Sequence, residues 1–267
     1  MQWTVIESRQ NPSVKRLVAL SEKKARDREG VFSAEGSTIF FDLAALGIYP
    51  EAVFLSSDRE NLKSRVEVCL ANTDVKAYLL VPFVFEKITT EKGSEGIVSL
   101  YGKDTVTAAL PFPRDGKFIA LENLQDPGNV GTVLRTAAAL GFGGVITVGG
   151  ADPFGGKCIR SSMGAFAFIP VKSFSTTEDA FSYLKKRGIC SVAACLADDA
   201  LTVTDVSFPS SVCVWIGNEG KGLSQTAVSL ADKKSIIPIS RTESLNAAVA
   251  ASIFMWEIAR RGEKNER

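Results

Sequence analysis

Histidine is missing altogether from these 267 residues. That excludes every Ser-His-Asp or Cys-His nucleophile and every His-ligated zinc centre. Proton transfer falls to a carboxylate, Lys, Tyr, Arg, water or a substrate group. Cysteine is scarce and odd in number: Cys69, Cys158, Cys190, Cys195 and Cys213 lack paired metal-ligand spacing, and several lie in apolar runs. There a free thiol packs as a small core side chain. The expectation is a cytoplasmic protein with reduced thiols and no metal. No apolar run reaches the roughly 18 residues of a membrane span, and Met1–Arg16 holds no secretory-type apolar core, so no membrane contact and no leader are expected. An excess of one charge is lacking too: 31 Lys and Arg against 30 Asp and Glu leave a formal net charge of +1. Any nucleic-acid surface must therefore come from local clustering.

What is present is ordinary globular material, 45% apolar and 23% charged, enough for one large domain or two smaller ones. The first half alternates. Residues 13–28 read as a basic helix, 32–34 as a strand and 37–46 as a helix. Residues 52–55 and 75–80 read as strands, 82–89 as a helix and 96–101 as a strand, a small α/β sandwich. Pro111, Pro113, Asp115 and Gly116 then mark a linker. Domains are expected at 1–105 and 117–267, joined by 106–116. Beyond the linker, strands at 117–122, 144–148, 166–171, 189–194, 212–216 and 235–239 alternate with helices at 130–140, 157–163, 177–187, 224–230 and 244–261. Continuously apolar strands between helices predict a parallel sheet covered on both faces. The last helix is apolar around most of its girth, so either the rest of the monomer covers it or a second subunit does.

Three segments concentrate Gly, Asn and charge at strand ends, where ligands bind in open α/β sheets. In Leu121–Thr136, Asn129 reads as a helix N-cap eased by Gly128. Arg135, inside an apolar helix, reads as a snorkelling surface residue or a salt-bridge partner. In Val214–Ser224 a buried strand enters a loop with Gly217, Gly220 and Gly222, where glycines let a ligand approach the backbone. Lys221 is followed by Gly222, so the segment matches neither a phosphate-binding P-loop nor the dinucleotide fingerprint. Glu219 there reads equally as a solvated carboxylate. In Ile236–Asn246 a strand ends at Pro238 and Ser244 reads as the N-cap of the last helix.

Together these segments resemble the three motifs of the SpoU family of RNA ribose 2′-O-methyltransferases, in the SPOUT superfamily. Asn129, Gly131 and Arg135 are similar to its N-x-G-x-x-x-R. Gly217, Glu219, Gly220 and Gly222 are similar to G-x-E-G-x-G. Ile237-Pro238-Ile239, Ser244-Leu245-Asn246 and Val249-Ala250 are similar to its third motif. Lys157–Ala165 also resembles an R-x-S-x-G-A block, and each motif is weak alone but the four stand in family order. The third loop, Ser240-Arg241-Thr242-Glu243, lacks the Gly common in the family and is one residue shorter. Ser8–Lys15 and Phe32–Gly36 resemble the RNA-binding domain found before many such catalytic domains. At Ser37 and Thr38 this chain departs from the Arg that often follows.

The resemblance implies an α/β protein: a knotted, trefoil parallel-sheet domain after a small ribosomal-protein-like α/β domain. It implies S-adenosylmethionine as cofactor, held by Ile216, Gly217, Gly222, Ile237, Ile239 and Leu245. It implies RNA as substrate, ribosomal rather than transfer, a homodimer, and catalysis by Arg135 with Asn129, Glu219, Ser244 and Asn246. Arg9, Lys15, Arg16, Lys23, Lys24, Arg26 and Arg28 would contact phosphates. The rivals are a dinucleotide-dependent enzyme, against which the missing fingerprint counts, and a non-catalytic RNA-binding or ribosome-assembly factor with the same fold.

Overall fold

A computed structural model describes residues 1–89, 94–241 and 244–262; Thr242 and Glu243, half of the third-motif loop, lie outside the described residues. The chain forms two compact units, Met1–Ala109 with Phe154–Ala167, and Leu110–Pro153 with Phe168–Arg267.

The first unit is built on five strands, β1 (Trp3–Ile6), β2 (Val31–Glu35), β3 (Ala52–Ser56), β4 (Lys76–Leu80) and β5 (Ile97–Gly102), in the order β1-β4-β3-β5-β2. The first three of that order run parallel, whereas β5 is antiparallel to β3 and β2. Its helices are α1 (Pro12–Ala19), α2 (Lys23–Glu29), α3 (Ser37–Ala45), α4 (Glu60–Cys69), the short α5 (Pro82–Phe85) and α6 (Lys103–Ala109). Strand residues alternate between two cores, Phe54, Leu80 and Val98 on one face and Val53, Leu55 and Ile97 on the other.

The basic helix expected at 13–28 is broken in two. The Asn11 side chain caps α1 by accepting from Ser13 N at 2.9 Å. The turn between the helices is held by Arg26, whose guanidinium donates to the carbonyls of Leu20 (2.7 Å) and Ser21 (2.8 Å). Arg26 is therefore buried and is no phosphate contact. Arg16 pairs with Glu29, and Lys103 with Asp27. Lys15, Lys23 and Lys24 stay exposed.

The second unit carries seven strands: β6 (Lys117–Glu122), β7 (Gly144–Val148), β8 (Val171–Phe174), β9 (Cys190–Ala194), β10 (Leu201–Thr202), β11 (Val212–Ile216) and β12 (Lys233–Ile236). All pairings are parallel and the order is β10-β12-β9-β11-β6-β7-β8. Helices α7 (Pro127–Ala139) and α11 (Ala247–Gly262) pack on each other and on β6, and α11 also on β11. On the other face α9 (Thr177–Lys185) and α10 (Gln225–Leu230) cover a core in which Phe181 stacks on Trp215 at 4.0 Å. The sheet is thus apolar on both sides, which accounts for its uninterrupted hydrophobic strands.

Two expectations shift. No strand covers 166–171: Ala165–Ala167 is a 3-10 turn, and the strand starts at Val171. Phe166 packs instead on Phe32 and Phe154 of the first unit, and Pro170, just before β8, has no N–H for a ladder. The short helix α8 (Gly156–Ser161) goes with that unit as well. The last strand stops at Ile236, two residues before Pro238, for the same reason. All five cysteines are free thiols, and burial pushes the Cys213 thiol well up. Among the described residues no helix is long and apolar enough to cross a membrane.

Candidate functional site

β6 and β11 are neighbours, but the chain leaves β6 toward β7 on one side and leaves β11 toward β12 on the other. Such a reversal opens a crevice at the carboxyl ends of the two strands. Three loops meet there: 123–126 after β6, 217–224 after β11, and the residues entering α11.

The loop after β6 is shaped by Asn123, which sits at a positive φ of 54°, and by Gly150 across from it. A Cβ on Gly150 would lie 2.3 Å from the Leu124 carbonyl, so only glycine lets these loops touch. The α7 N-cap is Asp126, which accepts from Gly128 N at 2.7 Å, with Pro127 in the first turn. This corrects the reading of Asn129 as the cap and leaves its amide free for other partners.

Those partners are the other two loops. Glu219 Oε1 accepts from Asp126 N (3.0 Å) and from Asn129 Nδ2 (3.1 Å), and its Oε2 accepts from Gln125 N (3.1 Å). Asn129 Oδ1 in turn accepts from Asn246 Nδ2 at 3.1 Å. Asn246 Oδ1 accepts from Ala248 N (2.9 Å) and Val249 N (3.2 Å), so Asn246, not Ser244, caps α11. Because Asn246 Oδ1 faces helix N–H donors, its amide must donate toward Asn129, whose own amide then faces the carboxylate. One chain of bonds joins all three loops. Partial burial alone would raise the Glu219 carboxyl, but the N–H groups of Asp126 and Gln125 outweigh it with help from the Asn129 amide, and the net shift is downward. Glu219 is an acceptor locked as an anion.

Of the expected cofactor residues, Ile216, Gly217 and Gly222 lie at the end of β11 and in the loop that follows it. Ile216 ends β11 and is buried. A Cβ on Gly217 would fall 2.1 Å from the Gly222 carbonyl carbon, and Asn218 and Gly222 exchange backbone hydrogen bonds at 3.0 and 2.9 Å. The loop therefore folds tightly on itself. Gly222, at φ 68°, has nothing within 4 Å of where a Cβ would stand and faces open space. Ile237 and Leu245 are half-buried, and Ile239 and Ser244 are exposed.

Arg135 stands apart. It is exposed, and among the described residues no hydrogen bond or ion pair ties it to the Asn129–Glu219–Asn246 chain. Six residues at about 100° each put it roughly 120° around α7 from Asn129.

Two polar residues escaped the sequence reading. Asn218 donates from Nδ2 to the Asn123 carbonyl at 2.9 Å and accepts from Gly220 N and Lys221 N. Glu122, only 2% exposed, accepts from Ser224 N and Ser224 Oγ, each at 2.7 Å, and from Thr177 Oγ1 at 2.5 Å. A carboxylate closing an otherwise apolar strand was the signal available for Glu122. Nothing local flagged Asn218.

Residues 116–256 match the SpoU rRNA Methylase family and residues 11–99 the MRM3-like substrate binding domain. A 23S rRNA guanosine 2′-O-methyltransferase of Bacillus subtilis is 30% identical over 258 residues, which cover 95% of this chain and 98% of that one. A tRNA guanosine 2′-O-methyltransferase of Escherichia coli is 31% identical over 147 residues, 53% of this chain and 62% of that one. The crystal structure of an AdoMet-bound rRNA methyltransferase from Sinorhizobium meliloti superposes with a TM-score of 0.86 at 28% identity, covering 98% of this chain and 99% of that one.

Proposed function

Because the chain belongs to the SpoU rRNA methylase family, we propose that it methylates a ribose 2′-hydroxyl in ribosomal RNA with S-adenosylmethionine as donor. The observation that carries this reading is the bonded chain Glu219–Asn129–Asn246, which brings the three motif loops to one crevice. Ribosomal RNA is favoured over transfer RNA by extent. The likeness to the 23S rRNA enzyme runs through both units, and the likeness to the tRNA enzyme spans about half of the chain. A cytoplasmic location belongs to the same reading.

The crevice suits an adenosyl ligand. Gly222 leaves backbone open to close approach, and Ile237, Ile239 and Leu245 offer aliphatic surface for a flat base above the buried Ile216. When bound, S-adenosylmethionine supplies a methyl group on a sulfonium, which departs as a neutral thioether and needs no acid. The chain's own work concerns the other reactant. A ribose hydroxyl has a high pKa and needs a base or positive potential. A guanidinium is a cation and a poor base, so Arg135 acts chiefly by clamping an RNA phosphate and stabilising the developing alkoxide, while the hydroxyl proton passes to water. Asn129, held by Glu219, orients the ribose, and Ser244 and Asn246 form the polar wall beside it. The third-motif segment passes the glycine loop in the trefoil topology of the family.

Two copies complete the site. α11 buries Ala248, Ala251, Phe254, Met255 and Ile258 within its own chain but leaves Val249 and Trp256 exposed, Trp256 at 60%. These two, with Thr132, Ala248, Ser252 and Ile253, line an apolar groove of about 320 Å³ along α7 and α11. Its lining includes Thr132, one turn along α7 from Asn129, and Val249, three residues past Asn246, and a second copy of the same face is its occupant. Arg135, exposed on α7, then serves the joint site.

The test is Arg135→Ala with S-adenosylmethionine binding measured separately by calorimetry. Turnover on ribosomal RNA falls about 10²–10³-fold while the cofactor Kd is unchanged. Near-normal turnover removes Arg135 from the mechanism. A wild-type protein that binds RNA but no S-adenosylmethionine is instead a non-catalytic factor.

A further inference from the structure

We propose that Glu122 is a positioning residue for the cofactor loop, locking its exit as Glu219 locks its middle. The inference rests on the reading of 217–224 as that loop. The two carboxylates make reciprocal ties. Glu219 reaches from the glycine loop to the amides of Gln125 and Asp126 after β6. Glu122 reaches from the end of β6 to Ser224, two residues beyond Gly222. The loop is thus held at two points, to the end of β6 and to the loop that follows it, one on either side of Gly222, where the backbone is open.

Chemistry explains why an acid is used. Glu122 meets only donors: one backbone N–H and two hydroxyls. At 2% exposure a carboxylate with fewer partners would be strongly disfavoured. Ser224 Oγ also accepts from Ala227 N at 3.1 Å as the N-cap of α10, so the bond sets loop exit and helix start together. The third donor, Thr177, belongs to α9 and touches no part of the glycine loop through this bond.

That geometry supplies an internal control. Ser224 Oγ and Thr177 Oγ1 both donate to the same oxygen, Glu122 Oε1. Removing either hydroxyl takes one bond from one buried carboxylate, but only Ser224 anchors the loop. Calorimetry of S-adenosylmethionine binding to the full chain and thermal melts without ligand are the readouts. Ser224→Ala raises the cofactor Kd three- to tenfold and lowers the melting temperature further because it also loses the α10 cap, whereas Thr177→Ala lowers the melting temperature but leaves the Kd within about twofold. Glu122→Ala raises the Kd at least tenfold. Glu122→Gln largely restores affinity, since its carbonyl can take Ser224 N and its amide can donate to hydroxyls turned to accept.

Equal Kd changes for Ser224→Ala and Thr177→Ala overturn the inference, and so does an unchanged Kd in Ser224→Ala. If Glu122→Ala does not fold, the serine and threonine variants decide alone. Gly217→Ala separates the two layers of argument. A Gly217→Ala Kd like wild type defeats the reading of the loop itself; a raised one with an insensitive Ser224 defeats only the role of Glu122.

Discussion

The two edges of the seven-stranded sheet use the same bond for different ends. At the amino edge Asp232 Oδ2 accepts from Ser191 N at 2.8 Å, across 41 residues of chain, beside a groove of about 540 Å³ lined by Glu178, Lys185 and Cys190 among others. At the carboxyl edge Glu219 and Glu122 also accept backbone N–H groups, but across 93 and 102 residues. The amino-edge acid finishes a pairing the sheet already makes, since Asp232 N also donates to Ser191 O at 2.9 Å. The carboxyl-edge acids act beyond the β6–β11 ladder, which stops at Leu121 and Ile216, and hold the loop that follows β11. A carboxylate accepting N–H bonds marks a site where it ties elements otherwise free to part, and merely trims a strand end where it does not.

The comparison can be broken most forcefully at Gly217. Alanine there meets backbone, not a yielding side chain, and such overpacking costs about 1–3 kcal/mol. The S-adenosylmethionine Kd rises roughly ten- to hundredfold by calorimetry, and an unchanged Kd would mean that the tight loop is incidental. Next in size, Trp256→Glu places a charge in the apolar groove. Sedimentation shows a folded monomer, and methyl transfer drops at least tenfold because the paired site is lost. A dimer of full activity refutes the second copy as occupant.

Glu219→Gln sharpens the contrast through pH. The folded Glu219 carboxyl lies below its ordinary value of 4.5, so its stabilising bonds are complete above that value and are lost as pH falls through the folded one. The gap in melting temperature between wild type and Glu219→Gln stays level from pH 7 to about 5 and closes only under more acid conditions. A gap that closes already at pH 6 contradicts the lowered carboxyl. Smallest of all, Asp232→Ala at the amino edge costs no more than about 1 kcal/mol of stability and leaves cofactor affinity and turnover within twofold. A larger loss of affinity would erase the distinction between the edges.

Much of the fold was legible in the residues. The apolar strands at 117–122, 144–148 and 212–216 were placed within their observed limits because burial on both faces demands unbroken hydrophobic runs. The edge strand Trp3–Ile6, with Thr4 and Val5 exposed, and the weakly amphipathic Glu60–Cys69 offered no such run and were missed. Phe166 was read as strand because it is apolar, yet its partners are Phe32 and Phe154. At the site, Asn129, Glu219 and Asn246 were singled out, but the caps were assigned to the wrong neighbours. Asp126 and Asn129, like Ser244 and Asn246, are equally good capping types by residue identity, and only where each helix starts distinguishes them.

By itself the sequence settled the kind of chemistry: no histidine, hence no imidazole base, and three polar strand-end segments that carry Arg135 and Arg241. Local periodicity and residue type carry that much, because secondary structure and reactive groups are properties of short segments. Only the tertiary structure decided which amide faces which carboxylate, that Glu122 grips Ser224 and that Arg26 is spent inside the fold. Those bonds join residues distant in the chain, and their partners exist only once the sheet has brought the strand ends together.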